Sequence, residues 1–360
     1  MVLISVLGDF HSNIIPIFYE FHKKITKHIL IYDDCKQDVK KATYLIDGFN
    51  KFVQKYDLDI ELYSEVLDED NLSDIQNLYK RVSKLAKAKD IYLNATDGLS
   101  NINITLGSLV VQNGGKSISF DRFDNEYNLL TKQNMKKCKI QNSLNLKDMF
   151  LLKGAKLTYS KERDFIDRKE AVFNILKDSK KYLKLKKLLN KKREFDITPF
   201  ADIVKSLNKI GKINDLDYIR GLIFEEYCYF LIKDLGFSDV LLNAKVKLSL
   251  DENNFVQNEF DILVMENNKI CTVECKFRKF VDGESLVYKY DSIRDMIDED
   301  SKVVLVAVGG KNRQQNRYGK EEVQFSRGDF SRAKLHNISI YQKSEFDKND
   351  FKKQFIEFFY

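Results

Sequence analysis

Two acidic residues and a lysine stand out in a hairpin that reads Asn258-Glu259-Phe260-Asp261-Ile262-Leu263-Val264-Met265. It turns at Glu266-Asn267-Asn268-Lys269 and returns as Ile270-Cys271-Thr272-Val273-Glu274-Cys275-Lys276. Both arms alternate as strands do, and an Asn-Asn pair is a good hairpin turn whose centre fixes the pairing. A loop of two or four residues centred there sets Asp261 opposite Glu274. Side chains alternate across a strand, so Asp261, Glu274 and Lys276 share one face while Val273 and Cys275 point into the core. Two opposed carboxylates repel each other. A divalent cation held by oxygen ligands would compensate, with Lys276 beside it to meet a phosphate. A surface hairpin with a cross-strand Glu-Lys pair has the same spacing. Acid-x-Lys triplets also arise from composition alone, as Asp34-Cys35-Lys36 and Asp178-Ser179-Lys180 show. Glu274-Cys275-Lys276 differs from these in lying on an apolar strand, behind a hairpin and opposite an acid.

The elements that must position this hairpin belong to a chain of 360 residues, long enough for two domains. Five cysteines (Cys35, Cys138, Cys228, Cys271 and Cys275) form no C-x-x-C pair and lie mostly in apolar surroundings. Reduced, buried thiols in a cytoplasm are expected, with neither a disulfide framework nor a zinc site. Met1-Val2-Leu3-Ile4-Ser5-Val6-Leu7 has no basic flank and reads as a buried first strand rather than a signal peptide. No apolar run is long enough to span a membrane, so no membrane partner is expected. The charge of +6, from 60 basic and 54 acidic residues, permits nucleic-acid binding without requiring it.

Up to about residue 145 the pattern alternates. Strand-like runs at Val2-Leu7, His28-Tyr32, Asp59-Tyr63, Ile91-Leu93 and Ser117-Phe120 are separated by amphipathic stretches such as Ser73-Ala88 and Leu99-Gln112. This predicts α/β architecture with an open parallel sheet covered by helices, whose ligands bind at the carboxyl ends of the strands. Two strand-to-helix turns sit where a ligand would: Gly8-Asp9-Phe10-His11-Ser12-Asn13, and Asn94-Ala95-Thr96-Asp97-Gly98-Leu99-Ser100-Asn101. Neither is a Walker loop or a dinucleotide fingerprint. Residues of these types are also ordinary helix caps.

A helical, strongly charged stretch follows from 146 to 214, read as a connector. Lys177 to Arg193 holds nine basic residues and one acidic residue with leucines interleaved, which suits a solvated helix face or one that follows a phosphate backbone. The third segment, 215–360, opens with Gly221-Leu222-Ile223-Phe224-Glu225-Glu226-Tyr227-Cys228-Tyr229-Phe230-Leu231-Ile232, a helix stopped at Gly236. A helix this apolar is buried. One of Glu225 and Glu226 can face solvent while the other completes a metal shell with Asp261 and Glu274.

Gly221-x-x-Phe224-Glu225, Asn258-Glu259-Phe260-Asp261 and Glu274-Cys275-Lys276 together resemble the PD-(D/E)xK nuclease superfamily. Tyr288-Lys289-Tyr290-Asp291-Ser292-Ile293-Arg294-Asp295 and Ser331-Arg332-Ala333-Lys334 resemble later segments of one branch, the CRISPR ancillary nucleases that join a CARF sensor domain to this fold. Asn13-Ile14-Ile15-Pro16-Ile17 is similar to that branch's first loop, and Asn94-x-Thr96-x-Gly98 to its ligand loop. Asp97 stands there for a glycine, and Leu99 and Ser100 for the usual Thr and Lys.

The resemblance implies a Rossmann-like CARF domain over 1–145 and a restriction-endonuclease-like domain with a mixed sheet over 215–360. It implies metal-dependent cleavage of DNA, RNA or both by Glu225, Asp261, Glu274 and Lys276. Mg2+ or Mn2+ would be held by Glu225, Asp261, Glu274 and the carbonyl of Cys275. It further implies a cyclic oligoadenylate activator, cyclic tetra-adenylate first among them, made during type III CRISPR defence. A homodimer would bind it through Phe10, His11, Ser12 and Asn13 and through Asn94, Thr96, Asp97, Gly98, Leu99, Ser100 and Asn101. Lys289, Arg294, Arg313, Arg317, Arg327 and Arg332 are candidate backbone contacts. A ligand-responsive nucleic-acid-binding regulator with an inert fold, and a restriction or repair endonuclease outside CRISPR defence, are the competing readings.

Overall fold

In the computed structural model, residues 1–8, 13–190, 196–249, 255–278, 282–297, 301–309 and 325–360 are described. The chain divides into two compact units, one of residues 1–157 with 246–257, the other of residues 158–245 with 258–360.

The first unit begins with β1 (Val2–Val6), α1 (Ile14–Phe21), β2 (Lys27–Tyr32), α2 (Lys36–Lys55), β3 (Glu61–Val66) and α3 (Leu72–Val82). It continues with β4 (Ile91–Asn94), α4 (Ser100–Gln112), β5 (Lys116–Asp121), β6 (Glu126–Leu130), β7 (Met135–Lys139) and α5 (Leu146–Leu152). The sheet order is β3-β2-β1-β4-β5-β6-β7. β1 to β5 pair in parallel as the alternating pattern requires. Central β1 is buried throughout, as a parallel strand covered on both faces must be. Val2, Ile4 and Val6 pack against Ile75, Leu78 and Val82 of α3 and Ile102, Leu106 and Val110 of α4.

The sheet is mixed rather than purely parallel. β6 and β7 add an antiparallel edge that the hydrophobic pattern does not announce. Met135-Lys136-Lys137-Cys138-Lys139 is largely exposed, so it carries no apolar alternation to read. The cysteines also need correcting: Cys228, Cys271 and Cys275 are buried, but Cys35 is exposed and Cys138 half-exposed. Cys35 is instead a helix cap, its Sγ accepting the Asp38 N–H at the start of α2.

The second unit's elements are β8 (Lys156–Ser160), α6 (Lys169–Leu176), α7 (Ser179–Asn190), α8 (Ala201–Lys209), α9 (Ile223–Lys233), β9 (Asp239–Ser249) and β10 (Phe255–Glu266). There follow β11 (Lys269–Phe277), α10 (Gly283–Ile297), β12 (Lys302–Val308), α11 (Arg327–Leu335), β13 (Ile338–Lys343) and α12 (Lys348–Phe359). Its sheet runs β13-β12-β11-β10-β9-β8. It is mixed: β10 and β11 are antiparallel, while β11, β12 and β13 are parallel.

The segment expected as a connector is shared between the units, with 146–157 in the first and 158–214 in the second. The reason is hydrophobic: Val172, Ile175, Tyr182, Leu185, Ile203 and Leu207 of α6 to α8 join one core with Phe224, Cys228 and Leu231 of α9 and Val273 and Cys275 of β11. The basic run is partly bound as well. Lys180 pairs with Glu345 and Lys181 with Asp202, each at 2.6 Å, and Lys186 is buried with its Nζ donating to the Phe277 carbonyl at 2.5 Å. Among the described residues no helix is long and apolar enough to cross a membrane.

One polar pair lies inside the first core. His28 and Ser5 are buried, with His28 Nε2 3.0 Å from Ser5 Oγ and the imidazole flanked by Phe18 and Phe49. Burial pushes the His28 pKa down from 6.5 to about 3. Protonation therefore favours the unfolded chain, and the stability present above pH 6.5 is lost as pH falls towards 3. Chemical denaturation followed between pH 7 and pH 4 should show a loss approaching about 1.4 kcal/mol per pH unit from this residue. His28→Phe should flatten that part of the profile, and an unchanged slope would refute the assignment.

Candidate active site and sensor loops

The hairpin turn is the two-residue Asn267-Asn268, both with positive φ (52° and 61°), the conformation of a type I′ turn. Glu266 faces Lys269, and the ladder runs in constant register to Ile262 opposite Val273. One further step in that register sets Asp261 level with Glu274. There Asp261 Oδ2 accepts the Cys275 N–H at 2.7 Å, so the carboxylate rather than the backbone closes the ladder. Val273, Cys275 and Phe277 enter the core under α9.

On the opposite face Lys276 Nζ lies 2.5 Å from Glu274 Oε1 and 3.6 Å from Asp261 Oδ2. Lys289 Nζ is 3.8 Å from the same Glu274 oxygen. Tyr290, on α10 and fully buried, donates its hydroxyl to Glu274 Oε2. Sequence reasoning gave Tyr290 no role. Its only signal is a tyrosine among charged neighbours, which does not say which way the ring points.

The adjacent acids of α9 separate cleanly. Glu226 is buried and satisfied: Arg168 donates to Oε1 at 2.8 Å and the Tyr218 hydroxyl to Oε2 at 2.6 Å. Glu225 belongs to the other cluster. Its pKa is pushed up to about 8 by burial first, then by the charge of Asp261, with Lys276 opposing. Burial and then Glu274 raise Asp261 to about 6, against Lys276 and the Cys275 N–H. Lys276 is held above its usual value: burial works against its charge, and Asp261 and Glu274 outweigh that. Like charges crowded in a poorly solvated cleft are what these shifts report.

Asp261 and Glu274, Glu225 coupled to them by charge, and the Cys275 carbonyl, to which Lys276 Nζ donates at 3.4 Å, offer only oxygen donors. That chemistry fits Mg2+ or Mn2+, and their charge would relieve the repulsion that raises Glu225 and Asp261. As the side chains stand, no three His, Cys, Asp or Glu among the described residues have the spacing to chelate one ion. The Lys276 ammonium reaches the two central carboxylates.

Other candidate contacts are engaged. Arg294 donates to the His336 carbonyl at 3.0 Å, and Arg332 lies 3.6 Å from Glu284 and 4.4 Å above the Tyr288 ring. Arg327 is the first residue of α11, inside the capping box of Ser326 and Asp329. Arg313 and Arg317 lie outside the described residues.

In the first unit the two turns singled out from sequence meet at the carboxyl ends of neighbouring strands β1 and β4, where the strand order reverses. Gly98 has φ +105°, and a Cβ there would strike Val6; a Cβ on Gly8 would fall 2.3 Å from the Gly98 nitrogen. Only glycines allow this approach. Asn94 Oδ1 accepts the Thr96 N–H and hydroxyl, and Thr96 Oγ1 accepts the Phe120 N–H at 2.9 Å. Asn94 is buried, and its Nδ2 has no partner. Asp97 Oδ1 accepts the Gly98 N–H at 2.8 Å, so this acid is bound within its own turn.

Among the described residues neither turn supplies a side-chain cap. Helix α1 after Asn13 and helix α4 after Leu99 start with no side-chain cap and no acid in the first turn. Helices α2, α3, α5, α11 and α12 are capped by a side chain, and α6, α8 and α9, which are not, carry an acid in the first turn instead. Two open helix N-termini beside each other suit an anion. Phe10, His11 and Ser12 lie outside the described residues; Ser100 and Asn101 open α4.

Residues 214–317 match the family described as Card1-like, endonuclease domain. No curated protein matches the sequence. Among solved structures, protein VC1899 from Vibrio cholerae superposes with a TM-score of 0.75 at 14% identity, over 99% of this chain and 97% of that one. Can2 from Sulfobacillus thermosulfidooxidans, in complex with cyclic tetra-adenylate, superposes with a TM-score of 0.71 at 15% identity, over 100% and 99%. A type III CRISPR defence DNA nuclease activated by cyclic oligoadenylate gives 0.56 at 12%, over 85% of this chain and 45% of its own. Residues 214–317 thus resemble a Card1-like endonuclease domain, and the chain shares its α/β fold with Can2.

Proposed function

We propose that this protein is a metal-dependent nuclease of type III CRISPR defence, switched on by a cyclic oligoadenylate. The observation that carries the reading is the convergence of Asp261, Glu274 and Lys276 on one face of a hairpin inside a Card1-like endonuclease domain. Asp261, Glu274, Glu225 and the Cys275 carbonyl would hold Mg2+ or Mn2+. Such an ion supplies an activated water and neutralises charge on the phosphoryl oxygens. Lys276, beside these carboxylates, would meet the scissile phosphate and stabilise charge as it develops there. Asp261 is aimed by the Cys275 N–H, and Glu274 by its donors on α10.

The activator's phosphates fit the open N-termini of α1 and α4, and Asn94 Nδ2 offers a buried donor beside them. Cyclic tetra-adenylate is the ring of choice, since Can2 binds it in the same fold. A twofold ring suits a homodimer that presents both turns twice. The chain then acts by population shift, its two states differing in affinity for the ring. DNA, RNA or both serve as substrate. An inert nucleic-acid-binding regulator is disfavoured because Asp261, Glu274 and Lys276 are all present and mutually engaged.

The test is cleavage of labelled single- and double-stranded DNA and RNA with Mn2+, with and without cyclic tetra-adenylate. Cleavage that rises at least about tenfold with the ring, equivalent to about 1.4 kcal/mol of coupling, is expected. Equal rates in both arms would remove the regulatory half of the reading, and no cleavage in either would remove the catalytic half.

The two acids of α9 give a second test. Glu225→Gln should cut cleavage by about two orders of magnitude or more and leave the melting temperature intact, because removing a transition-state contact of about 3 kcal/mol costs that much. Glu226→Ala should leave the catalytic groups in place but destabilise the fold by ~2 kcal/mol through loss of charge-assisted hydrogen bonds. The opposite pattern in urea titrations and rates would show that the acids are assigned the wrong way round.

A further inference from the structure

We propose that Tyr290 is the positioning residue for the metal ligand Glu274, and that its hydroxyl sets the metal affinity of the site. The inference rests on the nuclease reading above and goes beyond it. Tyr290 is wholly buried on α10, and its phenol reaches across to Glu274 Oε2. The other oxygen, Oε1, faces Lys276 at 2.5 Å and Lys289 at 3.8 Å. The two oxygens of Glu274 therefore have different partners. The phenol holds one, and the other is presented to the side where Asp261 and Lys276 lie.

Glu274 is itself buried, so its carboxylate has little water to replace a lost donor. Without the phenol, Oε2 would be left to turn towards Lys276 or Lys289, and Oε1 would leave the position it shares with Asp261. A carboxylate that ligates a metal is oriented by just such an outer hydrogen bond, and losing one costs about 10- to 100-fold in metal affinity. Tyr290 also fixes where α10 contributes to the site, since the preceding residue, Lys289, points its ammonium at the same carboxylate. Tyr290 acts through Glu274; it is not placed to touch substrate.

The experiment uses the full-length protein with Mn2+ as the probe. Free Mn2+ is followed by its electron paramagnetic resonance signal during titration, in parallel with the Mn2+ concentration that half-saturates cleavage. Tyr290→Phe keeps the buried ring and removes only the hydroxyl. It is expected to weaken Mn2+ binding and raise the half-saturating concentration by about the same factor, 10- to 100-fold, with cleavage recovering at high Mn2+. Tyr341→Phe removes another buried hydroxyl of this unit, one that donates to the Asp347 carbonyl at 3.3 Å, and should leave Mn2+ affinity unchanged.

Glu274→Asp draws the carboxylate back from the phenol by one methylene and probes the same bond from the other side. In that background Tyr290→Phe should add little, as expected for two changes that break one interaction. Mn2+ affinity within twofold of the parent protein in Tyr290→Phe, or full additivity in the double variant, would overturn the assignment. If the parent protein neither binds Mn2+ nor cleaves, the nuclease reading itself has failed and this inference falls with it.

Discussion

The register of one β-hairpin decides which charged groups of the second unit share a face. Asn267 and Asn268, each in the left-handed region, make a turn of two residues, so Glu266 must face Lys269 and every later pair is determined. A slip of one residue would send Asp261 to one face and leave Glu274 on the other, because strand side chains alternate. The apolar partners enforce the same choice: Ile262, Val264, Cys271, Val273 and Cys275 lie in the core under α9, which leaves Asp261, Glu274 and Lys276 to the opposite face. Packing thus holds together two carboxylates that repel each other, with the Lys276 ammonium between them. The result is a cluster in which burial and repulsion raise Glu225 and Asp261 and the Lys276 charge opposes that rise.

The first unit uses a different device. Glycines at 8 and 98 let the end of β1 and the turn after β4 approach each other closely. The helices that follow begin with neither a side-chain cap nor an acid in the first turn, whereas α6, α8 and α9, also uncapped, each carry such an acid. Uncapped N–H groups are costly to leave bare and become useful when an anion arrives. Asp97, one of the departures from the resembled loop, accepts the Gly98 N–H with one oxygen and so removes that N–H from the free donors.

Much of this is legible in the residues because it depends on short-range rules. The hairpin's turn, alternation and opposed acids can be read along the chain, as can the buried β1 and the glycines at the loops. What cannot be read there depends on where elements pack. Glu225 and Glu226 are neighbours on one helix, and only the positions of Arg168 and Tyr218 show that Glu226 is the structural one. The basic run after Lys177 looks solvated, yet Tyr182 and Leu185 are buried and Lys186 bonds to the end of β11, because helical spacing hides one face of α7 inside a core. β6 and β7 lack a hydrophobic pattern, being edge strands with lysines, and are invisible to periodicity. Tyr290 has no sequence signal for the contact it makes.

The most direct measurement of the central claim is the location of Mn2+ by anomalous diffraction from crystals grown or soaked at a Mn2+ concentration that supports cleavage. A peak within about 2.5 Å of carboxylate oxygens of both Asp261 and Glu274, with the Lys276 ammonium withdrawn from them, is the result the account predicts. A map with no peak between those residues, or one with Mn2+ bound elsewhere while Lys276 still bridges both carboxylates, would contradict it.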